Sequence, residues 1–160
     1  MLHYAALGGH RELCKLARKW GQAARCAIEW NWALTGAAEG GHREICKLIR
    51  KWGRIACCKM EWDLMLEGAA TGGHRELCKL ARKWGQAAGC RMRLSHMLYG
   101  AAENGHREIC ELAHKWILAA GKSINYDELM LRAAKGRHYD ICELAHSWID
   151  EDNKRPIYSS

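Results

Sequence analysis

The chain has 160 residues, which is room for one domain of ordinary size with a continuous core. It contains no Phe and no Val, so the residues that usually build sheets are scarce and an all-β fold is disfavoured. Lys and Arg outnumber Asp and Glu by 25 to 18, and the excess lies in residues 1–104. No apolar run reaches the roughly 18 residues of a membrane helix, so we expect no membrane span.

The nine cysteines indicate the compartment. The N-terminus has no charged region followed by an apolar stretch, which is the pattern of an export signal. Secreted disulfide-rich proteins are also usually shorter and denser in cysteine. We therefore expect an intracellular protein with free thiols in a reducing compartment, the cytoplasm or the nucleus.

A period of 32 residues runs through the whole chain, and residues 8–24 and 72–88 are identical. The residues that keep the period include His10, His42, His74, His106 and His138, then Cys14, Cys46, Cys78, Cys110 and Cys142, and Trp20, Trp52, Trp84, Trp116 and Trp148. The period predicts one repeat domain over residues 1–149, with units at about 1–30, 31–62, 63–94, 95–126 and 127–149. Such a unit must stack on its neighbours to bury its apolar faces.

Each unit is predicted to consist of two short helices, and the pattern is clearest in the second unit. We expect its first helix near residues 31–39, ended by Gly40-Gly41, where a positive φ costs little. The second helix is expected near residues 43–52, with apolar residues on one face and Arg and Lys on the other. The side chains predicted to cap the first helices are Asn31, Asp63, Ser95 and Asp127. The predicted fold is an all-α solenoid of five stacked helix-turn-helix repeats with short connectors.

Both ends of the chain depart from the repeat. The first unit lacks the front of its first helix, and in the fifth unit Arg137 stands where the other units have glycine. Terminal repeats are often atypical because one side faces water. Residues 150–160, which contain the single Pro, are predicted to form a frayed C-terminal tail.

Residues 37–48, Ala-Ala-Glu-Gly-Gly-His-Arg-Glu-Ile-Cys-Lys-Leu, resemble the helix-turn-helix core of the ankyrin repeat, and the match recurs five times over nearly the whole chain. The His-Arg-Glu, Cys and Trp-Gly variant also resembles ankyrin arrays encoded by large DNA viruses, which implies an infected host cell as its location. Two features depart from the family. Residues 32–35 replace its Thr-Pro-Leu-His, and connectors such as residues 54–61 lack the Asp and Gly of its β-hairpin fingers. We therefore expect shorter, less regular fingers.

The resemblance implies a non-catalytic module, expected as a monomer, whose first-helix faces and finger tips bind a protein partner. Positions that vary between units are expected to be exposed and to contact that partner. These are Trp32, Thr35, Glu39, Leu64, Glu67, Thr71, His96, Tyr99 and Glu103. Phosphate-binding-loop, zinc-protease and serine-hydrolase motifs are not found in the sequence, so we expect no enzyme activity and no cofactor.

A basic row on the second helices of the first three units favours an alternative function, nucleic-acid or other polyanion binding. Phosphate contacts are the main source of sequence-independent affinity for nucleic acids. The residues expected to carry this binding are Lys47, Arg50, Lys51, Arg82 and Lys83. The other interpretation is a solvated face that keeps the protein soluble through its net charge.

His and Cys four residues apart, as in His42 and Cys46, can lie on one helix face, where both could reach a metal ion. Two ligands fall short of the four that structural zinc takes, so we interpret the His as a helix cap and backbone bridge, the Cys as a small core residue, and predict no metal site. The cysteines predicted to be more reactive lie in connectors and are Cys26, Cys57, Cys58 and Cys90.

Tryptophan is predicted to have two roles. The five periodic tryptophans end the second helices on their apolar side and are expected to stack on one another as a ladder in the core. Trp30 and Trp62 lie beside connectors and are expected to be half-buried.

Overall fold

The computed structural model describes residues 1–24 and 27–154, and within those ranges the chain is helical with no strand. The helices form pairs, and a three-residue turn joins the two helices of each pair. The ten helices of these ranges are α1 (Leu2–Leu7), α2 (Arg11–Ala23), α3 (Trp30–Glu39), α4 (Arg43–Ile55), α5 (Trp62–Thr71), α6 (Arg75–Ala87), α7 (Leu94–Glu103), α8 (Arg107–Ala119), α9 (Tyr126–Lys135) and α10 (Tyr139–Lys154). The predicted all-α class and the paired helices are confirmed.

The helix pairs of the five 32-residue repeats pack into two larger compact units, Met1–Arg93 and Leu94–Ser160. In the first unit α3 packs between α1 and α5, and each of these three helices also packs on the helix that follows it. In the second unit α7 packs on α8 and α9, and α10 packs on α9. The single domain expected over residues 1–149 stays a prediction.

The core of each unit lies between the helices that face one another. Leu34, Ile49 and Leu66 are among the largest fully buried side chains of the first unit, and Met97 and Leu129 among those of the second. The alanine pairs of the first helices are also fully buried in the second, third and fourth repeats. Their small volume lets neighbouring helices approach closely.

A residue in the left-handed region follows each first helix. Gly41 has a φ of 79°, and the His42 amide donates to the Ala37 carbonyl at 2.8 Å, which is the longer bond of a Schellman motif. Gly9, Gly73 and Gly105 take the same conformation. In the fifth repeat Arg137 adopts it with a φ of 62°, at a cost of roughly 1–2 kcal/mol for a residue with a Cβ. The predicted stop at Gly40-Gly41 is confirmed.

The predicted N-caps are wrong, because the first helices begin one residue earlier than expected. The residues Asn31, Asp63, Ser95 and Asp127 are the second residues of their helices. Asn31 instead binds the next connector, where its side chain accepts from the Glu61 amide at 3.0 Å and donates to the Lys59 carbonyl at 3.2 Å. The first helical residues Trp30 and Trp62 are buried. Their burial outweighs a capping bond of about 1 kcal/mol.

The periodic histidines connect consecutive repeats. His42 Nε2 hydrogen-bonds the Leu7 carbonyl at 3.0 Å, and His74 Nε2 hydrogen-bonds the Glu39 carbonyl at 2.9 Å. A Cβ at Gly40 would clash with that Leu7 carbonyl, so glycine is needed for the approach. The predicted role of the histidine as a backbone bridge is confirmed at these two positions. The predicted capping role is wrong there, because neither His42 nor His74 makes a side-chain capping bond.

The C-terminal helix is longer than predicted. α10 continues to Lys154, so residues 150–154, expected to fray, are helical. Tyr126 Oη donates to Asp152 Oδ2 at 2.6 Å, and this bond ties the start of α9 to the end of α10. The rest of the predicted tail, residues 155–160, lies outside the described residues.

Candidate interaction surfaces

The nine residues expected to bind a partner lie at matching positions of α3, α5 and α7. Trp32 and His96 are exposed. The expectation of exposure is wrong for the half-buried residues Thr35, Glu39, Leu64, Glu67, Thr71, Tyr99 and Glu103. Within each unit the first helices pack side by side, α3 against α1 and α5 and α7 against α9, which reduces the exposure of these positions. Glu103, for example, accepts from Lys135 Nζ at 2.6 Å and Arg132 Nη1 at 3.1 Å, and these bonds lower its pKa.

An apolar groove opens in the first unit between α1, α2 and the start of α3. Its volume is about 520 Å³. Its lining includes the apolar residues Leu2, Ala17, Trp20, Gly21, Ile28 and Trp32 and the polar residues His3 and Glu29. Trp20 is 55% exposed and Trp32 is 58% exposed. Concave apolar surfaces that hold exposed aromatic side chains are typical binding sites.

The groove corresponds to a place that is filled in the next two repeats. In the second repeat the Trp30 and Trp52 ring centroids are 6.3 Å apart, and in the third the Trp62 and Trp84 centroids are 5.5 Å apart. α1 has six residues where α3 and α5 have ten. The core position expected for every periodic tryptophan is wrong for Trp20, which is exposed, and for Trp116, which is half-buried.

The predicted tryptophan ladder is wrong at Trp52 and Trp84, because each ring packs on the tryptophan that begins its own repeat and on an arginine of the preceding repeat. The Arg18 guanidinium carbon is 5.0 Å from the Trp52 ring centroid, and that of Arg50 is 4.5 Å from the Trp84 centroid. Trp30 and Trp62, expected to be half-buried, are buried. Cation–π contacts of partly desolvated groups contribute about 1–2 kcal/mol. These contacts offset part of the like-charge repulsion within the basic row.

Contacts within the protein occupy much of the basic row. Each of three lysines pairs with the glutamate three residues before it, at 2.6–2.7 Å, in the pairs Glu12–Lys15, Glu44–Lys47 and Glu76–Lys79. The hydrogen bond to lysine is the main cause that lowers the pKa of each glutamate. Of the residues expected to bind polyanions, Lys47 is ion-paired, Arg50 lies over Trp84, Arg82 is half-buried, and Lys51 and Lys83 are exposed.

A histidine replaces the arginine of this arrangement in the second unit. His114 is buried and stacks on Trp148, with centroids 4.0 Å apart and planes 10° apart. Its Nε2 lies 3.4 Å from Tyr126 Oη. Sequence analysis did not single out this contact. The available signal was that His114 holds the repeat position of Arg18 and Arg50.

The periodic cysteines Cys14, Cys46, Cys78 and Cys110 are buried in the core, as predicted, whereas Cys142 is half-buried. Burial raises the pKa of Cys46, Cys78 and Cys110 to about 12, which leaves them protonated at neutral pH. Of the predicted reactive thiols, Cys57 is exposed, Cys58 and Cys90 are half-buried, and Cys26 lies outside the described residues. No group of three or more His, Cys, Asp or Glu that could hold a metal is found in residues 1–24 and 27–154.

We expect a maleimide at neutral pH to modify Cys57 at least tenfold faster than Cys78. The thiolate is the reactive species, and Cys78 is both buried and kept protonated. Mass spectrometry of proteolytic peptides after timed labelling measures both rates. In denaturant the two rates should converge. Equal rates in native buffer would show that Cys78 is not in the core.

Comparison with known proteins gives no match, neither to a protein-family model nor to a curated protein. Within the part of the chain that the structure describes, no helix has the length and apolar character to cross a membrane. A function for the protein is therefore inferred from its surfaces, among them the apolar groove with the exposed side chains of Trp20 and Trp32.

Proposed function

We propose that the protein is a non-catalytic protein-interaction module, an ankyrin-type solenoid of five repeats, that binds its partner at the apolar groove of the first unit. The observation that carries this proposal is the pair of exposed tryptophans, Trp20 and Trp32, on the rim of one apolar cleft. Tryptophan is enriched among the residues that dominate binding energy at protein interfaces. Trp32 is also one of the positions that vary between repeats.

The neighbouring repeats indicate what the groove accepts. In the second repeat, the corresponding place holds the indole of Trp30, carried at the start of a helix. A partner segment that presents one aromatic side chain from a helix or turn would fill the groove in the same way. The first unit carries an excess of basic residues, so acidic groups beside that side chain would speed association.

Replacing Trp32 with alanine is expected to weaken partner binding at least tenfold, because a hot-spot tryptophan contributes about 2 kcal/mol or more. Proteins captured by the wild type would be identified by mass spectrometry, and calorimetry with the purified partner would give the dissociation constants. Tyr139→Ala is the matched control, since it removes a 67% exposed aromatic residue of the second unit. Equal affinities for the two variants would refute the proposal.

Polyanion binding along the whole basic row is the second candidate. It has less support, because Lys47 and Arg50 already contact other residues of the protein. The observation in its favour concerns one place only, where Arg50, Lys51 and Arg54 of the second repeat line one cleft.

A further inference from the structure

A cleft beside the last turn of α4 brings three cations together. Its volume is about 370 Å³, and it is lined by Arg50, Lys51, Arg54 and Ile55. Among the described residues, no carboxylate lines this cleft and no ion pair engages its three cations. Positive charges that converge on one concave surface raise the local concentration of anions.

Aromatic rings hold one of these cations in place. The Arg50 guanidinium carbon lies 4.5 Å from the Trp84 ring centroid and 5.8 Å from that of Trp62. A guanidinium stacked on a ring can still donate N–H bonds in its own plane, and its planar fork matches the oxygens of a phosphate. Arg50 is therefore positioned before any anion arrives, which reduces the entropy lost on binding.

The third cation distinguishes the second repeat from its neighbours. Arg54 is replaced by Gln22 in the first repeat and by Gln86 in the third, within the two identical segments 8–24 and 72–88. Those repeats keep the arginine and lysine that correspond to Arg50 and Lys51. The second repeat thus has one more positive charge at the same point of the fold.

We propose that Arg50, Lys51 and Arg54 form a phosphate-binding site, which takes a phosphoryl group of a nucleic-acid backbone or of a free oligophosphate. The end of α4 carries a partial negative charge of roughly half an electron, which is small beside three positive charges. The site is independent of the proposed partner groove, because that groove is formed by α1, α2 and the start of α3.

The test compares Arg54→Gln with Lys19→Gln, using inorganic pyrophosphate and a short duplex DNA as probes at low salt. Both variants lose one positive charge from a second helix of the same unit, α4 for Arg54 and α2 for Lys19, but only Arg54→Gln changes the cleft. Arg54→Gln introduces the residue found at this position in two other repeats, and a circular dichroism melt checks that the fold is kept. Calorimetry measures pyrophosphate binding, and fluorescence anisotropy measures DNA binding.

We expect Arg54→Gln to weaken binding about tenfold, the effect of losing a charge-assisted hydrogen bond, and Lys19→Gln to change it less than twofold. Loss of pyrophosphate binding alone would identify a free oligophosphate as the ligand. Loss of DNA affinity, with the salt slope reduced by about one, would identify a nucleic-acid backbone. Equal effects of the two variants, or no saturable binding of either probe by the wild type, would overturn the proposal. Neither outcome bears on partner binding at the groove.

Discussion

Replacing Trp62 with alanine is expected to lower the free energy of unfolding by about 3–5 kcal/mol, the range for a large aromatic residue removed from a core. Trp62 is 6% exposed and packs on Trp84, and the Arg50 guanidinium lies near both rings. Its loss would leave a cavity between α5 and α6 and remove one ring from Arg50. Urea unfolding followed by circular dichroism measures the change.

The matched control for this prediction is Trp32→Ala, which removes the same side chain near the start of another first helix. Trp32 is 58% exposed, so its replacement should change the free energy of unfolding by less than about 1 kcal/mol. Comparable losses for the two variants would mean that Trp32 supports the fold, and it would then be unsuited as a binding residue.

Replacing Gly72 with alanine is expected to cost about 2–3 kcal/mol through overpacking. The backbone of Gly72 has an ordinary helical φ, so conformation is not the reason. A Cβ at this position would overlap the carbonyl oxygen of Glu39, which also binds His74 Nε2. To remove this overlap α3 and α5 must move apart, which would weaken the packing of α3 on α5 and the bond between His74 and the Glu39 carbonyl. Urea unfolding again gives the difference.

Gly8→Ala provides the control for Gly72, because it changes the same position of the first repeat. The nearest atoms to a Cβ on Gly8 belong to the exposed ring of His10, at 2.9 Å, and that side chain can rotate away. We expect a change of less than about 1 kcal/mol. An equal cost at both glycines would indicate that the helix end itself, not the contact with Glu39, requires glycine.

The repeat pattern predicts the helices well because each unit depends mainly on local signals. Glycine at position 41 and its counterparts allows the left-handed turn, and the apolar spacing of residues 43–52 predicts α4. The N-caps were mispredicted because capping preference at Asn31 competes with the burial of Trp30, a contact with another helix. The extension of α10 depends on the bond between Tyr126 and Asp152, which no local pattern signals.

Surface positions were harder to predict than helices. Variation between repeats identified Trp32 as exposed, but it also selected Glu103, whose variation reflects pairing with Arg132 and Lys135 in the next repeat. Charge periodicity placed Arg50 in the basic row, but it did not predict the contact with the Trp84 ring, which comes from the next repeat. Both errors have one cause, since exposure depends on a neighbouring repeat, which a single unit does not specify.

The identical segments 8–24 and 72–88 differ in burial because their neighbours differ. Trp20 is 55% exposed, whereas Trp84, at the same place in the second copy, is 9% exposed. In a repeat array the free energy of opening a helix is dominated by its interfaces, so we expect α2 to open at a lower cost than α6. A partner seated in the proposed groove would act as a substitute neighbour for α2. Binding and the resistance of the first unit to unfolding would then rise together.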